Sequence, residues 1–212
     1  MRTPWSDLDD AWRAAFEEAW EAFVTGNIAV GAAVSDADGG VRCRGRNRVY
    51  DADAPRGQVA GSGLAHAEIN VLAQLPFRAP RVLVLTTTLQ PCLQCAAAIR
   101  QAPISSVRFG GADPIWDGCS DFTSLSPWLA RRAPVPSTGP RRDELGVFAT
   151  VISRFGPGLV PDYEAALRAG GEGGLVDFVY DLEAKGWCAR ARGRSVEWAI
   201  ADLWSDLGAF TG

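Results

Sequence analysis

The sequence predicts an α/β protein, a three-layer α/β/α sandwich (domain 1–126) carrying a helical C-terminal extension (127–212) packed on that core. Three observations predict it. Apolar, β-branched runs alternate with helical stripes over the first 113 residues. Two strand–helix–strand passages follow one another, which demands parallel pairing with right-handed crossovers and therefore helices on both sheet faces. Beyond about residue 127 the chain changes to segments of helical periodicity bounded by Gly or Pro.

Each element follows from its own pattern. Trp5, Leu8, Trp12, Phe16, Trp20 and Phe23 recur every three to four residues with acids between them, which gives an amphipathic helix over 6–25 ending near Gly26. The apolar run 28–35, the Asp38-Gly39-Gly40 turn and the alternating stretch 41–49 form a β-hairpin. A Gly/Ala-rich loop then leads to a helix over 65–75, striped by Ile69, Leu72 and Ala73 and closed by Pro76. Residues 81–88 form a continuous apolar run of the kind buried on both faces in a parallel sheet. A helix over 92–101 is stopped by Pro103, and 105–110 is a short strand. Residues 116–140 read as loop, and 141–155, 163–168, 175–185 and 195–207 as helices whose apolar stripes need burial.

Composition excludes several function classes. The net charge of −4 and pI near 5.1 leave no general positive field for neutralising phosphates, so nucleic acid is not the expected partner. No apolar run approaches the roughly 20 residues that span a bilayer, and the acidic, amphipathic start is unlike a signal peptide, so a cytoplasmic protein with no membrane association is expected. Five cysteines, two close together and three scattered, do not suggest a disulfide framework. His66 is the only histidine, which rules out every mechanism needing two.

His66-Ala67-Glu68 falls at the start of one crossover helix and Pro91-Cys92-Leu93-Gln94-Cys95 at the start of the next, at the sheet edge where open α/β sheets place their ligands. One imidazole and two thiolates suit Zn²⁺ and leave a fourth position for water, as catalytic rather than structural sites do. The helix N-termini favour thiolates. Glu68 leaves the same turn at a different angle, suited to moving protons between an activated water and a leaving amine. A lone Cys-x-x-Cys could instead be a redox pair and a lone histidine a core residue. The joint pattern with Glu68 argues against both.

His-x-Glu followed by Pro-Cys-x-x-Cys resembles the signature of the zinc nucleobase deaminases. The chain resembles the cytidine and deoxycytidylate deaminase superfamily over about residues 29–113, through VGAAV, GRNR, AHAEINVL, TLQPCLQC and VRFGG, and lies nearest its guanine deaminase and tRNA adenosine deaminase branch. The resemblance implies zinc held by His66, Cys92 and Cys95, Glu68 as the catalytic proton shuttle, Asn47 and Ala67 beside the substrate, and a homodimer. Gln90 stands where that branch often has Glu, and the region after about residue 127 matches nothing in it.

Asn47 can alternatively be a turn residue, and Trp116 either stacks on a substrate ring or belongs to the core. Arg42, Arg44, Arg46 and Arg48 share one strand face and are expected to be a solvated, pairing-resistant edge. The expected activity is hydrolytic removal of the exocyclic amine of a free nucleobase or nucleoside. Alternatives are a tRNA adenosine deaminase, which needs a basic groove, and a non-enzymatic module, against which Glu68 argues.

Overall fold

A computed structural model describes residues 4–79, 82–131 and 133–211. Arg81, expected to begin the third strand, lies outside them.

The chain opens with helix α1 (Asp10–Val24), capped by the Asp9 carboxylate, which accepts from the Trp12 N–H at 2.9 Å. Strands β1 (Gly31–Ser35) and β2 (Val41–Arg46) follow, then helix α2 (Ala67–Leu72), β3 (Leu83–Leu89), α3 (Leu93–Gln101) and β4 (Ile104–Gly111). After that come α4 (Pro127–Ala130), β5 (Ser137–Thr138), α5 (Glu144–Ser153), α6 (Pro161–Ala169), α7 (Gly173–Ala184), α8 (Trp187–Ala191) and α9 (Val196–Leu207). The α-β-β-α-β-α-β order is thus as expected through β4. α4, β5 and α8 are additions: the first two fall in the stretch read as loop, and all three are too short to show a period.

The five strands lie in the order β2-β1-β3-β4-β5. The expected β1–β2 hairpin forms and the expected parallel pairing holds for β3 with β4, but β2 and β3 do not pair, because β1 lies between them, antiparallel to both. The crossover through α2 therefore passes over β1, and β2 and β3 run in the same direction without touching. Burial explains the choice: every residue of β1 is buried, as an interior strand requires, whereas β2 is exposed along its first half and takes the edge.

Helices α2 and α3 cover one face through Val71 and Ile99, packed on Ala32, Val34, Leu85 and Val107. On the other face α1 and α5 lie against the sheet, and α7, α8 and α9 pack outside them in one apolar cluster that runs from Trp12 and Phe16 to Phe148, Trp187 and Leu203. The α/β/α sandwich therefore carries a further helical layer. Close packing of α1 depends on Gly31, where a Cβ would stand 2.2 Å from the Ala15 carbonyl oxygen and 2.3 Å from the Ala19 nitrogen.

The edge arginines are solvated as expected at Arg42 and Arg44, which are exposed on the edge strand β2, but not at Arg46, which is buried, or Arg48, which is half-buried. Each meets a carboxylate: Arg42 with Asp36, Arg44 with Glu17 and Glu18, Arg46 and Arg48 with Asp51. Arg46 is only 5% exposed, because the loop after β2 folds back over it. Asp51 and Asn70 hold that loop: Asn27 donates to Asp51 Oδ1 at 2.6 Å, and Asn70 accepts from the Val59 N–H while donating to the Arg46 carbonyl. Among the described residues no helix is long and apolar enough to cross a membrane.

Candidate active site

β2 and β3 point the same way, so α2 and α3, which follow them, begin at one edge of the sheet. His66 is the residue capping α2 and Cys92 the residue capping α3, each in extended conformation just before its first turn. Cys95 lies one turn into α3. His66 Nδ1 is 3.5 Å from both sulfurs, and the sulfurs are 3.6 Å apart. Tetrahedral zinc, with Zn–S about 2.3 Å and Zn–N about 2.0 Å, separates its sulfurs by roughly 3.8 Å and sulfur from nitrogen by roughly 3.5 Å. The three side chains fit such an ion, and among the described residues they are the only metal-ligating group of this kind.

Electrostatics agree with the geometry. The hydrogen bond from Cys95, followed by that from His66, pulls the Cys92 thiol down to about 4 against the opposing effect of burial. Cys95 is pushed well up by the same bond to Cys92 and by burial. Two thiolates this close need a cation between them, and a coordinating cation deprotonates the second thiol. His66 is raised, chiefly by its bond to Cys92.

Glu68 enters from the first turn of α2 and is buried. Its Oε1 accepts from the Thr87 hydroxyl at 2.9 Å, and its Oε2 lies 3.3 Å from Cys95 Sγ. Burial raises its carboxyl above the ordinary range. A carboxylate so placed can take up a proton beside the cluster while Thr87 fixes its orientation.

A cavity of about 110 Å³ opens on this group, lined by His66, Glu68, Cys92, Asn47, Ala67 and Trp116 among others. Of the residues singled out from the sequence, all but Cys95 border this one space, and Cys95 is buried behind it against His66, Cys92 and Glu68. Asn47 makes the turn bond considered for it, its Oδ1 accepting from the Val49 N–H at 3.1 Å, and it also borders the cavity. Trp116 is half-buried on the cavity wall, in the turn after β4. Sequence reasoning gave no site role to Thr87, Gln90 or Asp113, Gln90 being noted only as a departure from the branch the chain resembles. Thr87 could have been found by strand parity, since it shares a face with Leu85 and Leu89; nothing local marks the other two.

Comparison with known proteins decides the family. The model for the cytidine and deoxycytidylate deaminase zinc-binding region matches residues 6–111, half of the chain. The chain belongs to this deaminase family. A solved structure from a study of A-to-I editing by tRNA:A34 deaminases at the wobble position is 30% identical, with a TM-score of 0.48, over 60% of this chain and 96% of its own. Guanine deaminase from Nitrosomonas europaea is 22% identical, with a TM-score of 0.43, over 66% of this chain and 79% of its own. The tRNA-specific adenosine deaminase subunit tad2 of Schizosaccharomyces pombe is 35% identical over 69 residues, which is 31% of this chain and 18% of that relative. The deaminase chain thus spans under a fifth of that curated relative. Zinc is the family's metal, and the His/Cys/Cys cluster of this deaminase can bind it.

Proposed function

We propose that this deaminase hydrolyses the exocyclic amino group of a free nucleobase or nucleoside, with His66, Cys92 and Cys95 holding zinc and Glu68 moving protons. The observation that carries the reading is Glu68: a buried carboxylate, oriented by Thr87, whose free edge lies against the metal-ligating cluster at the floor of a ring-sized cavity. When bound, zinc makes water acidic enough to supply a nucleophile near neutral pH. Glu68 accepts the proton released by that water and passes it to the ring nitrogen next to the carbon under attack. It then takes the remaining proton from the hydroxyl now bonded to the ring carbon and delivers it to the amine, the C–N bond breaks, and ammonia leaves while the oxygen stays on the ring as a carbonyl. Asn47, Ala67 and Trp116 would border the ring.

A second reading is deamination of adenosine in tRNA, supported by the identity to the tad2 subunit. Against it, the arginines of the β2 edge are each held by a carboxylate of the same chain, and the net charge is negative. A cytoplasmic homodimer, with residues 127–212 packed as an integral extension of the catalytic unit 1–126, completes the proposal.

The test is ammonia release from cytosine, cytidine, guanine, guanosine, adenine, adenosine and a tRNA substrate by wild type and Glu68→Gln. One base or nucleoside should be turned over by wild type, and E68Q should keep its zinc while losing about 10²–10⁴-fold in rate. Near-normal turnover by E68Q would overturn the role of Glu68. Turnover of the tRNA alone, with steeply salt-dependent binding, would put the second reading first.

A further inference from the structure

Asp113 lies two residues past the end of β4 and of the family match, and two side chains from much later in the chain terminate on it. Tyr163, in α6, donates its hydroxyl to Asp113 Oδ2 at 2.5 Å. Arg154, at the C-terminus of α5, stands 3.5 Å from Oδ1, donates to the Tyr163 oxygen and lies over the Tyr163 ring at 4.7 Å. Asp113 and Arg154 are each 2% exposed.

Such a cluster is a poor source of stability, because desolvation of both charges offsets their attraction. Among the described residues Asp113 Oδ1 and Arg154 Nε and Nη2 also lack hydrogen-bond partners. What the cluster does fix is position. The Asp113 carbonyl accepts from the Trp116 N–H at 2.9 Å, and the Asp113 N–H donates to Gln90 Oε1 at 3.1 Å. Arg154 and Tyr163 thereby hold the turn carrying Trp116 and, through Gln90, the approach to Pro91 and Cys92.

Trp116 and Gln90 also border a second cavity of about 250 Å³, on the side of Phe109 and Cys119. The turn is thus a partition between the site cavity and a larger neighbour. At about 110 Å³ the site cavity is smaller than the roughly 150 Å³ that takes a benzene ring, so it encloses at most one ring and leaves a sugar outside it.

We propose that Arg154 and Tyr163 are positioning residues that lock the Asp113–Trp116 partition and so set a preference for the free base over its nucleoside. This rests on the deaminase reading above. The extension then acts on substrate choice without touching substrate.

The experiment uses the full-length, zinc-loaded protein and Tyr163→Phe, which removes one hydroxyl and keeps the ring under Arg154; Arg154→Lys serves if that variant is insoluble. Loss of a hydrogen bond to a buried charge should speed amide exchange in 113–119 by about tenfold while α2 and α3 exchange as in wild type. The ratio of kcat/KM for nucleoside over base should rise by about tenfold at unchanged zinc content. Unchanged exchange in 113–119 overturns the clamp, and so does faster exchange throughout the sheet, which marks a purely structural role. Local loosening with an unchanged ratio overturns the selection. A wild type inactive on every base and nucleoside overturns the deaminase reading and the selection with it, while the exchange result still decides the clamp.

Discussion

Trp187→Ala removes one of the side chains by which the helical extension meets α1. The indole is 1% exposed, stacks on Phe155 at 5.4 Å between ring centres, and meets Phe23 at 6.2 Å and the edge of Trp20 at 6.3 Å. Its N–H donates to Asp202 in α9 at 2.9 Å. Replacing a buried Trp by Ala costs about 3–5 kcal/mol. Three ring contacts, each worth about 0.5–1.5 kcal/mol beyond area, place this site in the upper part of that range. Whole domains are stable by only about 5–15 kcal/mol, so the loss is a large fraction. At about 2–4 °C per kcal/mol for a chain of this length, Tm should fall by roughly 6–20 °C. Urea unfolding followed by far-ultraviolet circular dichroism, tryptophan fluorescence and zinc release should give coincident curves, because α1, α5 and α9 share one apolar cluster. A cost below about 1 kcal/mol, or helices that melt on their own while the zinc site stays folded, would refute the shared core.

His66→Ala, Cys92→Ser and Cys95→Ser should each lose most of the zinc found in wild type by elemental analysis, since a three-ligand site has no spare donor. Gly31→Ala should cost about 1–3 kcal/mol in urea unfolding, because its Cβ would collide with the backbone of α1. Burial alone would raise the Asp51 carboxyl, but hydrogen bonds from Asn27, Arg46 and Arg48, with the charge of Arg46, outweigh it and hold it below its ordinary value. Its stabilisation is therefore complete above the unfolded value of about 4 and is lost as pH falls through the lower folded value. Asp51→Asn should flatten that acid limb in a stability-versus-pH series; an unchanged limb would mean the pairing has no energetic weight.

What the sequence determined by itself was the donor set and the local order of elements. A chain with one histidine, placed two residues before Glu68 and followed by a Cys-x-x-Cys at the next helix start, leaves little freedom in which atoms can hold a metal. Helix and strand identities through β4 follow from periods of 3.6 and 2 that are complete within a dozen residues. Tertiary structure decided the rest. It set β1 between β2 and β3, buried Arg46 under the returning loop, and added β5, which pairs with β4, and α8, whose Trp187 packs against α1 and α9. It also brought Tyr163 to Asp113 across 50 residues of chain. The physical reason is common to all four. Periodicity and capping are satisfied by neighbours along the chain, whereas a buried charge or a two-residue strand is stable only once distant segments have closed around it, and no short window of sequence contains them.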